Sequence, residues 1–313
     1  MGWLIPKTEE HTIGDSGTSI KIIDRTKGFG EFNKLVKKVI LDASNKSSNL
    51  IQEMGPVNFI LIGFLGRANN ILMSSRAKVL VKTNTVLINL NNLLKDQDPK
   101  ALREYVNNLD RQREYKQVYG TVIHEIFHLY HNFKTKIIVN MQAYSKRLNR
   151  YKKKVNNKHP KSVRADVGLF FHNLLIEGLA KYLQYHSSDI FKNKRNLYVL
   201  YGEAADKAHK INIFISLFME QKKEGKVKKR LIKDLRKELY YSKYLIGEYM
   251  CERIVASGGE KTETLIKTKP LAFIRKYEAA EKKLGFTPVV SLNSKKGILD
   301  YNHALAKLAA LSR

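Results

Sequence analysis

The sequence predicts an α+β protein whose first part mixes strands and helices and whose remainder is helical. Short runs rich in β-branched residues, at 57–65, 78–81 and 85–90, all fall in the first third of the chain. After them, apolar residues recur at spacings of three and four, which is typical of helices. With 313 residues, 43% of them hydrophobic, the chain can bury a substantial core. We expect one large domain or two closely packed lobes.

In the first part, residues 19–24 predict a short strand and residues 32–43 predict an amphipathic helix. Residues 57–65 form a continuous apolar run, which predicts a buried central strand. Residues 71–74 predict a further short strand. The β-branched runs at 78–81 and 85–90 flank a short polar segment, so they predict a hairpin or a bulged strand pair.

The rest of the chain predicts helices. One begins near Asp98, and others cover about 112–133, 163–186, 202–218, part of 231–256, and 262–284, with an interruption at Pro270. A short helix over 300–311 ends the series. We place an N-terminal α/β lobe at residues 1–134 and a helical lobe at 135–313. Residues 135–162 are strongly basic and predict an insertion at the start of the helical lobe.

The helix over 112–133 contains the motif HExxH, formed by His124, Glu125 and His128. Histidines four residues apart lie on the same face of a helix, so their imidazoles can converge on one metal ion. Glu125 lies about 100° around the helix from His124, where its carboxylate can reach a water without binding the ion. The alternative is a pair of core histidines satisfied by carbonyl groups, but the buried glutamate would then need another partner.

A third metal ligand is needed to complete such a site. His131 follows on the same face, but seven residues of helix separate it from His124 by about 10 Å, so we expect a structural or site-lining role. Glu177 is the better candidate, because it is an acidic residue within an apolar helical run, where a carboxylate is costly without a compensating cation. The alternative is a surface pair between Glu177 and Lys181. After Glu177, the next candidates are His131 and His172.

HExxH followed by a distal glutamate in an E-G-x-A setting resembles the gluzincin zinc metallopeptidases, the thermolysin-like group. The resemblance covers the helices at 112–133 and 163–186 well and the rest loosely. It implies a zincin-like fold, in which an N-terminal lobe holds a small mixed or antiparallel sheet and the active-site helix, and a C-terminal lobe is mainly α-helical. It also implies one Zn²⁺ per chain, held by His124, His128 and Glu177, with Glu125 as general base. The substrate would be a peptide or protein that adds to a sheet edge.

Two features depart from the family's pattern. The gap between His128 and Glu177 is 177 − 128 = 49 residues, longer than in compact members of the group, and the basic insertion lies within it. Lys181 also stands where thermolysin-like enzymes have an aspartate that orients a ligand histidine. The partner of the ligand histidines is therefore left open.

Peptide hydrolysis also requires a donor that stabilises the developing oxyanion. Related enzymes use a tyrosine or histidine of the C-terminal lobe. Tyr244 is the preferred candidate, because Y-x-x-G on a late helix places a phenol beside a small residue, where the backbone can approach the cleft. Tyr241, His209 and His186 are the other candidates, and the alternative for Tyr244 is an ordinary core aromatic.

The net charge of +28, from 57 Lys and Arg against 29 Asp and Glu, is the second strong feature. Nine basic residues and no acidic residue lie from Lys146 to Arg164, and six basic residues with one glutamate lie from Lys222 to Arg230. Such clusters favour anionic partners, and the alternative is a solvated, compositionally lysine-rich surface. A non-catalytic or nucleic-acid-tethered module on a zincin scaffold is therefore a second hypothesis. A peripheral membrane-associated peptidase is a weaker one.

The sequence also predicts the cellular compartment of the protein. A single cysteine, Cys251, excludes a disulfide framework within the chain. The N-terminal residues lack the pattern of a signal peptide, and the longest apolar run is too short to span a bilayer. We therefore expect a cytoplasmic protein with no transmembrane segment.

Overall fold

The computed structural model describes residues 6–15, 17–64, 75–94, 111–154, 160–186, 196–225, 227–258 and 261–291. The chain divides into two compact units: Met1–Phe133 with Leu183–Lys192, and Lys134–Tyr182 with Asn193–Arg313. The predicted α+β class is confirmed. Three predictions lie outside the described residues: the strand at 71–74, the helix beginning near Asp98 and the helix at 300–311.

The first unit contains a mixed five-stranded sheet in the order β1-β2-β3-β5-β4. Its strands are β1 (Lys7–Ile13), β2 (Thr18–Lys27), β3 (Val57–Phe64), β4 (Ala77–Leu80) and β5 (Thr85–Asn89). The pairs β2–β3 and β3–β5 are parallel, whereas β1–β2 and β4–β5 are antiparallel.

Three strand predictions are confirmed. The strand predicted at 19–24 lies within β2. Strand β3 is central, and its residues Val57, Phe59 and Leu61 are fully buried. Strands β4 and β5 form the predicted antiparallel pair. Strand β1 was not predicted, because its sequence Lys-Thr-Glu-Glu-His-Thr-Ile is polar. Its position at the edge of the sheet explains this composition, since most of its side chains face solvent.

Four helices complete the described part of the first unit: α1 (Gly30–Lys46), α2 (Ser48–Met54), α3 (Leu90–Leu93) and α4 (Arg111–Thr135). Helix α1 confirms the predicted amphipathic helix and buries an apolar stripe that includes Phe32, Val36 and Ile40. The predicted active-site helix is α4, and its last two residues fall in the second unit.

Two tyrosine–carboxylate hydrogen bonds hold helix α4 in the first unit. The Tyr115 hydroxyl donates to Asp42 of α1 at 2.7 Å, and the Tyr130 hydroxyl donates to Glu53 of α2 at 2.7 Å. At about 100° per residue, both tyrosines lie roughly opposite the face that carries His124. The two anchors therefore leave the histidine face directed away from α1 and α2.

The second unit is helical in its described residues. Its helices are α5 (Ile137–Lys154), α6 (Pro160–His186), α7 (Leu197–Lys223), α8 (Lys229–Ala256), α9 (Thr262–Ile266) and α10 (Pro270–Lys283). The last four residues of α6, 183–186, fall in the first unit. Helix α6 confirms the helix predicted at 163–186, and the break before α10 confirms the interruption at Pro270. The mixed segment predicted at 231–256 is instead part of one continuous helix, α8.

Helix α8 is fixed to both α6 and α10. Near its beginning, Arg236 donates to Asp166 of α6 at 2.6 Å. Near its end, Arg253 donates to the fully buried Glu281 of α10 at 2.9 and 3.0 Å. Because a buried carboxylate is costly unless it is paired, these contacts fix the position of α8 in the second unit.

None of the helices in the described part of the chain has the length and apolar character needed to cross a membrane.

Candidate metal centre

The two histidines of the motif converge as the sequence predicts. On α4, Nε2 of His124 and Nε2 of His128 lie 3.0 Å apart. Their rings are nearly perpendicular, at 87°, with centroids 4.5 Å apart. Two nitrogens that bind one tetrahedral zinc ion at about 2.05 Å would be separated by about 3.3 Å. The observed separation is therefore close to that of a histidine pair sharing an ion.

The surroundings of the pair are largely buried. His128 is 7% exposed and Glu125 is 9% exposed. The neighbouring residues Val122, Ile123 and Ile126 are fully buried. A low-polarity environment strengthens the interaction of a carboxylate with a nearby cation or proton donor, because water screens it less.

Glu177 of helix α6 completes a group of potential ligands. One ligand atom from each of His124, His128 and Glu177 can be chosen so that all three atoms lie within 4.8 Å of one another. His131 is buried, at 3% exposure, and is not a member of this group; neither is His172. Two imidazole nitrogens and one carboxylate oxygen are a donor set that suits Zn²⁺, so the residues present fit the ion.

Glu177 also has a cationic partner that the sequence does not predict. The Lys243 ammonium of α8 lies 2.9 Å from Oε1 of Glu177, and the two side chains are only 9% and 13% exposed. The sequence offered Lys181 as the alternative partner because it lies four residues further along the same helix. Lys243 is 66 residues away, so spacing along one helix could not have identified it. The available signal was a lysine within the otherwise apolar part of α8.

A close crossing of two glycines brings α8 against α6 beside this pair. A Cβ atom added to Gly178 would overlap the backbone of Gly247, and a Cβ atom added to Gly247 would overlap the carbonyl oxygen of Leu174. Gly178 follows Glu177 directly, and Gly247 lies one turn after Lys243. The absence of both side chains therefore permits the helix contact that brings the ammonium to the carboxylate.

Tyr244 lies next to this ion pair. Its ring centroid is 4.8 Å from the Lys243 ammonium, and its side chain is half-buried. Gly247, three residues later, makes a close backbone approach to helix α6. The expected approach of this backbone to the cleft stays a prediction. Among the other proposed donors, Tyr241 is 59% exposed, and His209 and His186 are also exposed.

Two further titratable residues do not belong to the metal-binding group. Cys251 is completely buried, and this burial raises the pKa of its thiol well above the usual value, so a thiolate ligand is not favoured. Burial lowers the pKa of His172, and its ring stacks on Tyr144 with centroids 6.3 Å apart. His172 is therefore a neutral, packed imidazole at pH 7.

No protein-family model, curated protein or solved structure matches this chain. The resemblance to gluzincins consequently stays a prediction that rests on the motif, on Glu177 and on the local geometry. A group of two histidines and one glutamate is not by itself specific to one family or one reaction.

Proposed function

We propose that this protein is a zinc-dependent metallopeptidase. The observation that carries the proposal is the grouping of His124, His128 and Glu177 as potential ligands, with Glu125 beside the first histidine in HExxH. A cluster of two core histidines would account for the apolar helix. It would not account for the convergence of the two Nε2 atoms with a carboxylate from a distant part of the sequence.

Each residue has a distinct role in this proposal. His124, His128 and Glu177 would hold the ion, which supplies Lewis acidity for polarising the scissile carbonyl and for lowering the pKa of water. Glu125 accepts a proton from the attacking water and transfers it to the leaving amine, so one carboxylate acts first as base and then as acid. Tyr244 is the proposed hydrogen-bond donor to the oxyanion.

The sheet offers two edges for an extended substrate. Strands β1 and β4 are the outer strands of the described sheet, so each has one side without a neighbouring strand. A peptide can bind to such an edge through main-chain hydrogen bonds, which are insensitive to side-chain identity. A peptide or protein substrate that binds in extended form is therefore part of the proposal.

Replacing Glu177 tests the ligand set directly. We expect Glu177→Gln to weaken zinc binding at least about tenfold, because a neutral amide oxygen is a poorer zinc ligand than a carboxylate. The dissociation constant is measured by competition with a chromophoric chelator. Glu220→Gln, at an exposed acid on α7, is the matched control and should leave affinity unchanged. Equal zinc affinity in Glu177→Gln and the wild type would exclude Glu177 as the third ligand.

The basic segments support a second candidate function, the binding of an anionic partner. In α5, Lys146, Arg147 and Arg150 are exposed, and around the start of α8 so are Lys228 and Arg230. Exposed cations of this density attract polyanions such as nucleic acid.

Neutralising lysines of the basic segment between Lys146 and Arg164 tests this second function. If it operates, binding of single-stranded nucleic acid will fall steeply between 50 and 200 mM salt, as expected for about six or more phosphate contacts. Changing Lys152, Lys153 and Lys154 to glutamine should weaken it. Fluorescence anisotropy at several salt concentrations provides the measurement. Absence of binding even at low salt would remove the second function and leave the peptidase proposal intact.

A further inference from the structure

Lys243 is an unusual neighbour for a metal ligand. Lysine is almost never fully buried unless it is paired. Lys243 as a whole residue, backbone included, is only 7% exposed. Its ammonium lies 2.9 Å from Oε1 of Glu177, within direct ion-pair distance. A divalent cation at the same carboxylate would share it with this positive charge, and like charges at such separations repel strongly when they are shielded from water.

The position of the ammonium is fixed by its helix. The crossing of Gly178 and Gly247 sets the register of α8 on α6 one turn beyond Lys243. Two turns earlier in α8, Arg236 is bonded to Asp166 of α6. Between these two contacts, Lys243 can reach Glu177 without a rearrangement of either helix.

Two aromatic rings also favour the cation at this point. The Lys243 ammonium lies 4.6 Å from the Tyr240 ring centroid and 4.8 Å from that of Tyr244. Both distances are within the range of cation–π attraction, and the effect grows as the site is desolvated. The lysine is therefore held by a carboxylate and two rings, whereas a surface lysine would be held by none.

We infer that Lys243 is a built-in counter-ion for Glu177, which keeps this carboxylate in place when the metal is absent and lowers the affinity of the site for the metal. The inference rests on the proposed function, because it concerns the same site. As a consequence, the bound metal exchanges more readily than it would at the same ligands without the lysine. Lys243 acts here as a positioning residue, since it works through Glu177.

The expected consequences of removing the charge have opposite signs in the two states. Without metal, loss of the ammonium leaves the negative charge of Glu177 less compensated, so the metal-free protein becomes less stable. With metal, the divalent ion itself compensates the carboxylate and no longer experiences the repulsion. By linkage, the metal should bind more tightly and should restore more of the stability.

The test uses two variants and one control on α8. Lys243→Met removes both the charge and the hydrogen bond at nearly the same length, and Lys243→Gln removes the charge but keeps a donor. Lys237→Met changes an exposed lysine of the same helix. For each full-length protein, the melting temperature without metal and the zinc dissociation constant from chelator competition are measured. We expect both Lys243 variants to melt at lower temperature without metal and to bind zinc at least about tenfold more tightly, a difference of about 1.4 kcal/mol.

The outcomes separate this inference from the proposed function. A lower melting temperature with unchanged or weaker zinc binding in Lys243→Gln would overturn the inference, because that result assigns Lys243 a structural role alone. The wild type would still bind zinc in that case, and His124→Ala would lose it. If neither the wild type nor the Lys243 variants bound zinc, the proposed function itself would fail, and the inference with it.

Discussion

Glu125→Gln should retain zinc and lower peptide turnover by about 10²- to 10⁴-fold, the range expected for loss of general acid–base catalysis. Glutamine has nearly the same shape but cannot accept a proton from water at neutral pH. Glu125 is buried on α4, where a change in side-chain volume would disturb the packing, and this substitution leaves the volume nearly unchanged. Turnover is measured with quenched fluorescent peptides on zinc-loaded protein.

The zinc content of the variant decides how this result is read. Glu125 is not a member of the ligand group, so zinc affinity should stay within about threefold of the wild type. His124→Ala is the companion variant and should lose both zinc and activity. Undiminished peptidase activity in Glu125→Gln would show that another residue is the base.

Gly178→Ala should lower the free energy of unfolding by about 2–3 kcal/mol or more, because the added methyl group would overlap the backbone of Gly247. Both partners in this contact are main-chain atoms, so no side-chain rotation can relieve the overlap and the two helices must separate. Separation of the helices also moves Lys243 away from Glu177. Urea denaturation of the metal-free protein measures the effect on stability.

Gly202→Ala is the matched control for this substitution. Gly202 lies within helix α7, and a Cβ atom added there would meet nothing within 4 Å. Alanine is a better helix former than glycine, so this control should gain up to about 1 kcal/mol. If the two variants had equal stability, the close crossing of α6 and α8 would be wrong.

The helices and most strands could be predicted because their apolar residues recur with clear periods. Helix α4 is an example, since the apolar residues Val118, Val122 and Ile126 mark one face and the histidines mark another. Strand β1 escaped prediction because an edge strand does not need apolar side chains on both faces. The full length of α8 escaped because charged residues at both ends interrupt its apolar pattern.

The candidate site could be predicted only where its chemistry is local. HExxH places two imidazoles on one turn, so spacing alone predicts their convergence. Glu177 was found from the cost of an acidic residue in an apolar run, which indicates that a cation is nearby but does not identify it. That cation is Lys243, and its position depends on a helix crossing that no single-helix spacing rule contains.

The metal content of the purified, untagged protein is the most direct measurement of the central claim. Elemental analysis after incubation with zinc and removal of free metal should find about one zinc per chain in the wild type, because the proposed site holds a single ion. His124→Ala, analysed in parallel, should contain close to none. A wild-type protein that retains no zinc, or a His124→Ala protein that retains as much as the wild type, would contradict the assignment of HExxH as a metal site.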